Sequence, residues 1–387
     1  MAGLIRDSDE RRALRETVTK IAARYGASYF LERGRTNGHI DELWQDLGEA
    51  GLLSVHLPEE YGGGGGGMAE AVIVIEELAA AGMPLLIWVA SPGIVGSVLA
   101  AHASEEMKQK WLPGIGDGTR KVAFGITEPD AGSNSHELST TARRDGDDWV
   151  ISGQKYYISA IDQAEAILLV ARDGDLSTPE KKRLSIFLVP TDAPGLSFQQ
   201  IETSIISPDK QFTVFLDNVR VGPDAVVGDA GEGLQQVFAG LNPERVVIAA
   251  IACGLGRYAI DKAVDYARER VVWSTPIGAH QGIAHPLAAA HIDVSVARLA
   301  TMQSALELDA GSPAAGEAAN MAKFAAAEAA IKALDQAIQT HGGNGLAKEY
   351  GLSEMWFAAR LLRSAPVSRE MVLNFVAQTS LGLPRSY

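Results

Sequence analysis

The sequence predicts an α+β protein, mainly helical. It reads as an N-terminal helical domain over residues 1–120, a middle antiparallel β domain over 121–229 and a C-terminal four-helix bundle over 230–387. Three observations carry this expectation. Apolar positions recur at helical spacing through the first third of the chain. Between Lys121 and Asp229 the apolar runs turn short, β-rich and separated by turn residues. After Gly233 long alanine-rich stretches return to helical spacing.

In chain order, Leu4 to Tyr25, Asp41 to Leu52 and Met68 to Ala81 show the 3.6-residue period of helices with one buried face. The segment HLPEEYGGGGGG (His56 to Gly67) is a loop, because a run of glycine suits neither helix nor strand. It lacks the GK[ST] ending of a phosphate-binding loop, so it reads as a flexible linker. Ala166 to Ala171, Leu184 to Pro190 and Phe212 to Leu216 are strands, divided by turns such as Asp173-Gly174 and Pro194-Gly195, with no helix between them to make a βαβ unit. Farther on, Ser312 is placed to cap a helix and Pro313 to occupy its first turn. Met321, Phe324, Ala327, Ile331, Leu334 and Ile338 would form its apolar stripe, and Gly342-Gly343 its stop. Gly254-Leu-Gly256-Arg-Tyr-Ala259 satisfies a dinucleotide-binding pattern, but no acidic residue closes a following apolar run and no further βα unit follows. The glycines read better as points of close helix packing.

With 387 residues, 47% hydrophobic and 21% charged, the chain has the composition of an ordinary globular protein with a large core. A net charge of −14 argues against nucleic acid and against an anionic membrane surface. The single cysteine, Cys253, excludes an internal disulfide. The N-terminus lacks the apolar core of a secretory signal, and the most apolar stretch, Ala71 to Ala90, is interrupted by Glu76-Glu77 and Pro84. The expectation is a cytoplasmic protein with no membrane partner. His280, His285 and His291 stand at spacings that do not share a helix face, so no metal site is expected.

Two motifs carry the chemistry. FGITEPDAGSN (Phe124 to Asn134) brings small residues and hydroxyls that let backbone approach a flat ligand. GQKYYIS (Gly153 to Ser159) ends in an aromatic pair followed by a hydroxyl, and the two are joined through an Asp145-Gly146 turn. An aromatic wall beside short hydroxyl donors suits a planar, hydrogen-bonding ring such as flavin; an edge strand with aromatic packing would look the same.

TEPDAGS followed by GQKYYIS resembles the paired flavin-binding segments of the acyl-CoA dehydrogenase family, and the resemblance extends over nearly the whole chain. It implies FAD-dependent α,β-dehydrogenation of an acyl-CoA thioester to the trans-2-enoyl-CoA, as in fatty-acid β-oxidation. A carboxylate takes the α-proton and the β-hydride passes to flavin N5. It further implies a homotetramer, a dimer of dimers, passing electrons to an electron-transfer flavoprotein.

Many family members carry the base near the C-terminus in a stretch like YEGT-x-E. Here that stretch is Ser364-Ala-Pro-Val-Ser-Arg-Glu370, and Pro366 falls where the glutamate would be. Proline is no base and has no N–H to hold the thioester oxygen, so either the loop shifts by a residue or that donor is lost. Isovaleryl-CoA and long-chain acyl-CoA dehydrogenases place the base on the first helix of the C-terminal domain. Leu241-Asn-Pro-Glu-Arg-Val-Val247 resembles this, with Glu244 as the base and Asn242 and Arg245 near the substrate. Burial would raise the carboxyl pKa; Arg245 and a helix N-terminus at Pro243 would keep it ionised.

By the same resemblance Phe124, Ile126, Thr127 and Ser133 would line flavin, Ser133 also touching substrate, with Tyr157 and Ser159 on the other side. Arg270, Trp273 and Gln281 belong to a segment like the family's cofactor-binding R-x-x-F-G stretch, in which Arg270 would bind the flavin pyrophosphate of a neighbouring subunit; Trp273-Ser274 replaces the family's Phe-Gly. Gln339, Gly342 and Gly343, in a match to Q-x-x-G-G-x-G, would contact the adenosine half. Trp88 and Pro92 would limit the depth of the acyl pocket. Two rivals remain on these residues: a non-catalytic or half-site subunit of a hetero-oligomeric dehydrogenase, and a flavin oxidase or monooxygenase.

Overall fold

The computed structural model describes residues 5–178 and 183–385. Seven helices come first: α1 (Asp9–Ala22), α2 (Gly26–Arg35), α3 (Asp41–Glu49), α4 (Met68–Ala80), α5 (Leu86–Trp88), α6 (Ser97–His102) and α7 (Glu105–Gly116). A π-helical turn over Val89–Gly96, containing Pro92, makes α5 and α6 one continuous apolar helix. Leu4, expected to open the first helix, lies outside the described residues.

Next come β1 (Val122–Gly125), β2 (Thr141–Asp145), β3 (Asp148–Ser159), β4 (Ala166–Asp173), β5 (Leu184–Pro190), β6 (Leu196–Ile201), β7 (Gln211–Val221) and β8 (Val226–Val227). They form one sheet in the order β6-β7-β3-β2-β4-β5-β8, with β1 also on β4. Most pairings are antiparallel, as expected, but β1 and β2 run parallel to β4, which makes the sheet mixed. Both lie along the same edge of β4, β1 from Ala166 and β2 from Arg172, because the loop between them carries the chain onward without reversing it.

The chain then enters α8 (Gly233–Glu269), a hairpin of β9 (Val271–Val272) and β10 (Thr275–Pro276), then α9 (Gln281–Asp309), α10 (Ala315–His341), α11 (Leu352–Ser364) and α12 (Arg369–Phe375). Helix α8 is long and apolar enough to cross a membrane, yet 67% of its apolar window is buried within the protein. It is the axis of the bundle. Gly254 abuts the backbone of α4 at Glu76, and a side chain on Gly256 would lie 2.6 Å from Val294 of α9, so these glycines do serve close helix packing. Glu76 and Glu77 of α4, 2% and 6% exposed, are met by arginines from three other helices. Arg257 reaches both at 2.6 and 2.7 Å, Arg298 reaches Glu76 at 2.5 Å, and Arg15 pairs with Glu77.

Two expectations are corrected here. The glycine run is ordered, not a flexible linker: Gly64 donates to Ser54, Gly65 to Leu57 and Gly66 to Val55 at 2.8–3.0 Å. Gly67 presses on the Asp309 carboxylate, whose oxygens accept from the first amides of α4, Met68 at 2.6 Å and Ala69 at 3.1 Å. Side chains at Gly63 and Gly66 would strike backbone, so glycine is required for close approach. Asp309→Ala is therefore expected to lower the unfolding free energy by about 1 kcal/mol, read as a lower urea midpoint at unchanged slope.

The second correction concerns α10. It starts at Ala315, and Ser312 accepts from Ala314 N at 3.2 Å ahead of it. Ala327 and Leu334 of the expected stripe are buried, but the rest of the buried face is an alanine row through Ala319, Ala322, Ala326, Ala330, Ala333 and Ala337, while Met321 is exposed and Phe324, Ile331 and Ile338 are half-buried. Packing against both α8 and α9 favours small side chains, and of the larger apolar residues only Leu334 keeps a fully buried place while Phe324, Ile331 and Ile338 sit at the flank.

Candidate active site

The two motifs come together as expected. β1 carries Phe124 and ends at Gly125; Ile126 and Thr127 follow in the loop, half-buried. Thr127 O accepts from Tyr156 N at 2.8 Å, which ties the first motif to the second. Beneath that link sits an ion pair the sequence reading missed. Lys155, with 0% exposure, donates from Nζ to Glu128 Oε1 at 2.8 Å and to Ile126 O at 3.1 Å. Glu128, 3% exposed, also accepts from Ser139 N and Oγ at 2.6 and 2.7 Å and from Thr140 N at 3.0 Å. Burial alone would raise the Glu128 pKa, but the charge of Lys155 and these donors outweigh it and hold it at about 2. Burial drags Lys155 down to about 8 against the pull of Glu128. Both groups are ionised between those limits.

Above the pair, β3 bulges between Lys155 and Ile158, and Tyr157 takes a left-handed conformation (φ 56°) with its ring 53% exposed. A large non-glycine residue in that region is strained, and the strain turns the ring out of the sheet, 4.4 Å from that of Tyr156. Ser159 exchanges hydrogen bonds with Gln211 at 3.0–3.2 Å. Ser133 is exposed, and space is open over Gly132. A flat ring could lie on this wall with backbone and hydroxyls at its edge, so the residues present fit an isoalloxazine.

Glu244 stands well inside α8, not at a helix start: the helix begins at Gly233 and runs through Pro243. The helix N-terminus therefore does not help ionise it, because that influence fades within the first turn. Tertiary packing explains the extension, since a side chain at Gly240 would lie 2.8–2.9 Å from Ile94 and Val98 of the facing α5–α6 helix. Glu244 is half-buried, and burial raises its carboxyl to about 7 against the opposing charges of Arg245 and Lys323. Arg245 donates to Asn242 Oδ1 at 2.7 Å and to Leu241 O at 3.1 Å; its Nε is buried without a hydrogen-bond partner among the described residues. Pro366 lies in the turn between α11 and α12. Trp88 is fully buried, its Nε1 donating to Leu52 O at 3.3 Å. His56 lies 5.5 Å from that ring, and its Nε2 is 3.1 Å from Pro92 O; burial lowers its pKa to about 4 and keeps it neutral.

The remaining expected residues gather elsewhere. Arg270 closes α8, Trp273 sits 89% exposed at the hairpin tip with φ 53°, and Gln281 begins α9. Gln339, Gly342 and Gly343 are exposed at the end of α10. Asn344 donates to Tyr266 Oη at 3.1 Å, and Tyr266 stacks on His341 at 4.2 Å, so these two groups share one end of the bundle. Helix α8 rises about 1.5 Å per residue, which puts Arg270 about 39 Å along its axis from Glu244. Within one chain the two groups do not converge.

Comparison with known proteins places the whole chain. Family models described as acyl-CoA dehydrogenase N-terminal, middle and C-terminal domains match residues 8–119, 123–219 and 231–381. The acyl-CoA dehydrogenase FadE12 of Mycobacterium tuberculosis (strain ATCC 25618 / H37Rv) is 58% identical over 382 residues, covering 98% of each chain. A structure of a glutaryl-coenzyme A dehydrogenase glutaryl-CoA complex superposes with a TM-score of 0.94 at 29% identity, over 99% of this chain and 98% of the other. A glutaryl-CoA dehydrogenase from Mycobacterium smegmatis in complex with FADH2 does so at 0.91 and 25%, over 98% and 97%.

Proposed function

The chain belongs to the acyl-CoA dehydrogenase family, and on that premise we propose that it oxidises an acyl-CoA thioester to the trans-2-enoyl-CoA with Glu244 as the base. It is an oxidoreductase whose cofactor is FAD. The flavin supplies the hydride acceptor for the β-carbon. The protein supplies the rest: Tyr157 and the segment from Phe124 to Ser133 hold the ring, Glu244 takes the α-proton, and Arg245 fixes the geometry of the base-bearing turn through Asn242.

The observation that carries the reading is Glu244 itself. It is a carboxyl poised near neutrality, on α8 one turn past the contact with the apolar α5–α6 helix, while the alternative position holds a proline. A base works best when its pKa lies near the working pH. The apolar side chains of the π-helical turn and the buried Trp88 would close the acyl pocket at its far end. Ser133, exposed beside the flavin wall, and Asn242 would meet the thioester.

The distance between Glu244 and the Arg270, Trp273, Gln281, Gln339, Gly342 and Gly343 group supports a shared cofactor site, with the second group serving a neighbouring copy. The exposed apolar row of α9, Ile292, Val296 and Leu299, suits the contact between copies, in a homotetramer. An electron-transfer flavoprotein would take the electrons.

Purified protein is expected to be yellow and to bleach anaerobically with at least one member of an acyl-CoA panel graded in length and branching. Turnover should require an electron-transfer flavoprotein. Rapid peroxide formation in air without an acceptor would favour an oxidase instead, and a colourless protein that cannot be loaded with FAD would favour a non-catalytic subunit.

A further inference from the structure

A small cavity of 240 Å³ opens between α2, the later half of α8 and the 348–351 turn ahead of α11. Along α8, at about 1.5 Å per residue, its Tyr258 lies about 21 Å from Glu244, so it is no part of the site described above. Tyr258 is only 6% exposed and lines the cavity wall. Its hydroxyl makes no hydrogen bond among the described residues, yet it is not sealed in by protein and faces the opening. Gly351, with φ 71°, leaves the space over it clear, because a side chain there would stand 3.8 Å from the hydroxyl oxygen. Burial, then the charge of Glu354, raises the phenol to about 12 and keeps it neutral. A buried hydroxyl is costly to leave unbonded, and this one serves no contact in the fold.

The lining around that hydroxyl carries both signs of charge. Lys262 stands one turn after Tyr258 on the same face of α8, with Nζ 5.7 Å from the centre of the Tyr258 ring. Lys348 and Glu349 come from the 348–351 turn and Glu32 from α2. None of these four side chains forms an ion pair among the described residues. Arg35, the one other charged residue of the lining, is taken up by Glu354 and by Lys348 O at 3.3 Å. Leu31 and Ala27 of α2 give the cavity an apolar wall.

We propose that this cavity is a binding site for a compact zwitterion, a molecule of the size and charge of an aliphatic amino acid. Its carboxylate accepts from the Tyr258 hydroxyl and faces Lys262, its ammonium faces Glu32 and Glu349, and its tail lies on Leu31 and Ala27. A simple anion would meet the two free carboxylates, and a simple cation the two free lysines. Only a ligand with both signs is matched on each side. The volume falls below the span of about 300–1,000 Å³ typical of sites for drug-sized ligands, which suits a molecule smaller than a nucleotide or a CoA thioester. The site uses neither Glu244 nor the flavin wall, so it is independent of the dehydrogenation.

Isothermal titration calorimetry on the FAD-loaded protein tests this with three probes. Leucine is compared with 4-methylpentanoate and 3-methylbutylamine, which keep its tail but lack the ammonium and the carboxylate respectively. Leucine should bind at one site per chain, and each half-molecule about tenfold or more weakly, having lost a charged contact. Tyr258→Phe should weaken leucine binding by about ten- to a hundredfold, the worth of one hydrogen bond to a charged group. The same variant should keep the urea midpoint, flavin content and rate of flavin reduction of the unmodified protein, because the hydroxyl it removes bonds to nothing in the fold. Lys262→Met should also weaken leucine. No binding of leucine, binding of 4-methylpentanoate or 3-methylbutylamine as tight as that of leucine, or undiminished binding by Tyr258→Phe would overturn the proposal.

Discussion

Glu244→Gln is expected to lower the rate of flavin reduction by acyl-CoA by about 10²–10⁴-fold, the span that loss of a positioned general base produces, while FAD stays bound. The amide keeps the shape and most of the packing of the half-buried side chain, so stability should hardly change. It removes only the lone pair that accepts the α-proton. The pH dependence of the unmodified protein follows with a definite sign. Burial holds the carboxyl at about 7, and only the ionised form can take a proton, so kcat/KM should rise with pH through about 7 and level off above it. Stopped-flow bleaching under nitrogen measures both. Bleaching at the unmodified rate in Glu244→Gln would remove the residue from the mechanism and return attention to the turn around Pro366.

Lys155→Met should be the most damaging single change in the middle of the chain. It leaves Glu128 buried without its counter-ion, and breaking a buried pair from one side costs about 3–5 kcal/mol. Methionine also cannot donate to Ile126 O, so the loop from Ile126 to Thr140 loses one of its ties to β3, beside the Tyr156–Thr127 bond, just where Thr127 and Tyr157 would flank the ring. The expected result is a protein that unfolds at distinctly lower urea concentration and is purified with little flavin. Adding Glu128→Gln to Lys155→Met should recover part of the stability, because the amide can stay buried at lower cost. In the unmodified protein the carboxylate's contribution is present above the ordinary carboxyl range and lost as pH falls toward about 2. Equal stability and equal flavin content in Lys155→Met would show that the pair does not organise the loop.

Much of this molecule was legible before any coordinates. The helix period placed α3 and α4 within a few residues, and the β-rich runs placed β4, β5 and β7. The GQKYYIS and TEPDAGS motifs pointed to one wall of a flavin site, and these lie together through the Thr127–Tyr156 hydrogen bond. Such signals are local: periodicity, turn residues and short motifs are written in neighbouring positions.

The rest is long-range. The Glu128–Lys155 pair could have been suspected from opposite charges inside two otherwise apolar, paired motifs, but nothing in the spacing says that both are buried. Proline at position 243 suggested a helix start, and packing of Gly240 on Ile94 and Val98 carried the helix across it. The six glycines suggested slack, and backbone contacts with residues 54–57 and the carboxylate of Asp309 hold them in one conformation. The sequence by itself indicated the order of helical and β-rich segments, the family, and two motifs expected to flank a flavin. Tertiary structure decided the burial of Glu244 well inside α8 and its separation from Arg270 at the far end of that helix. Burial and the electrostatics it sharpens depend on which distant residues the fold brings together, and no local pattern encodes that.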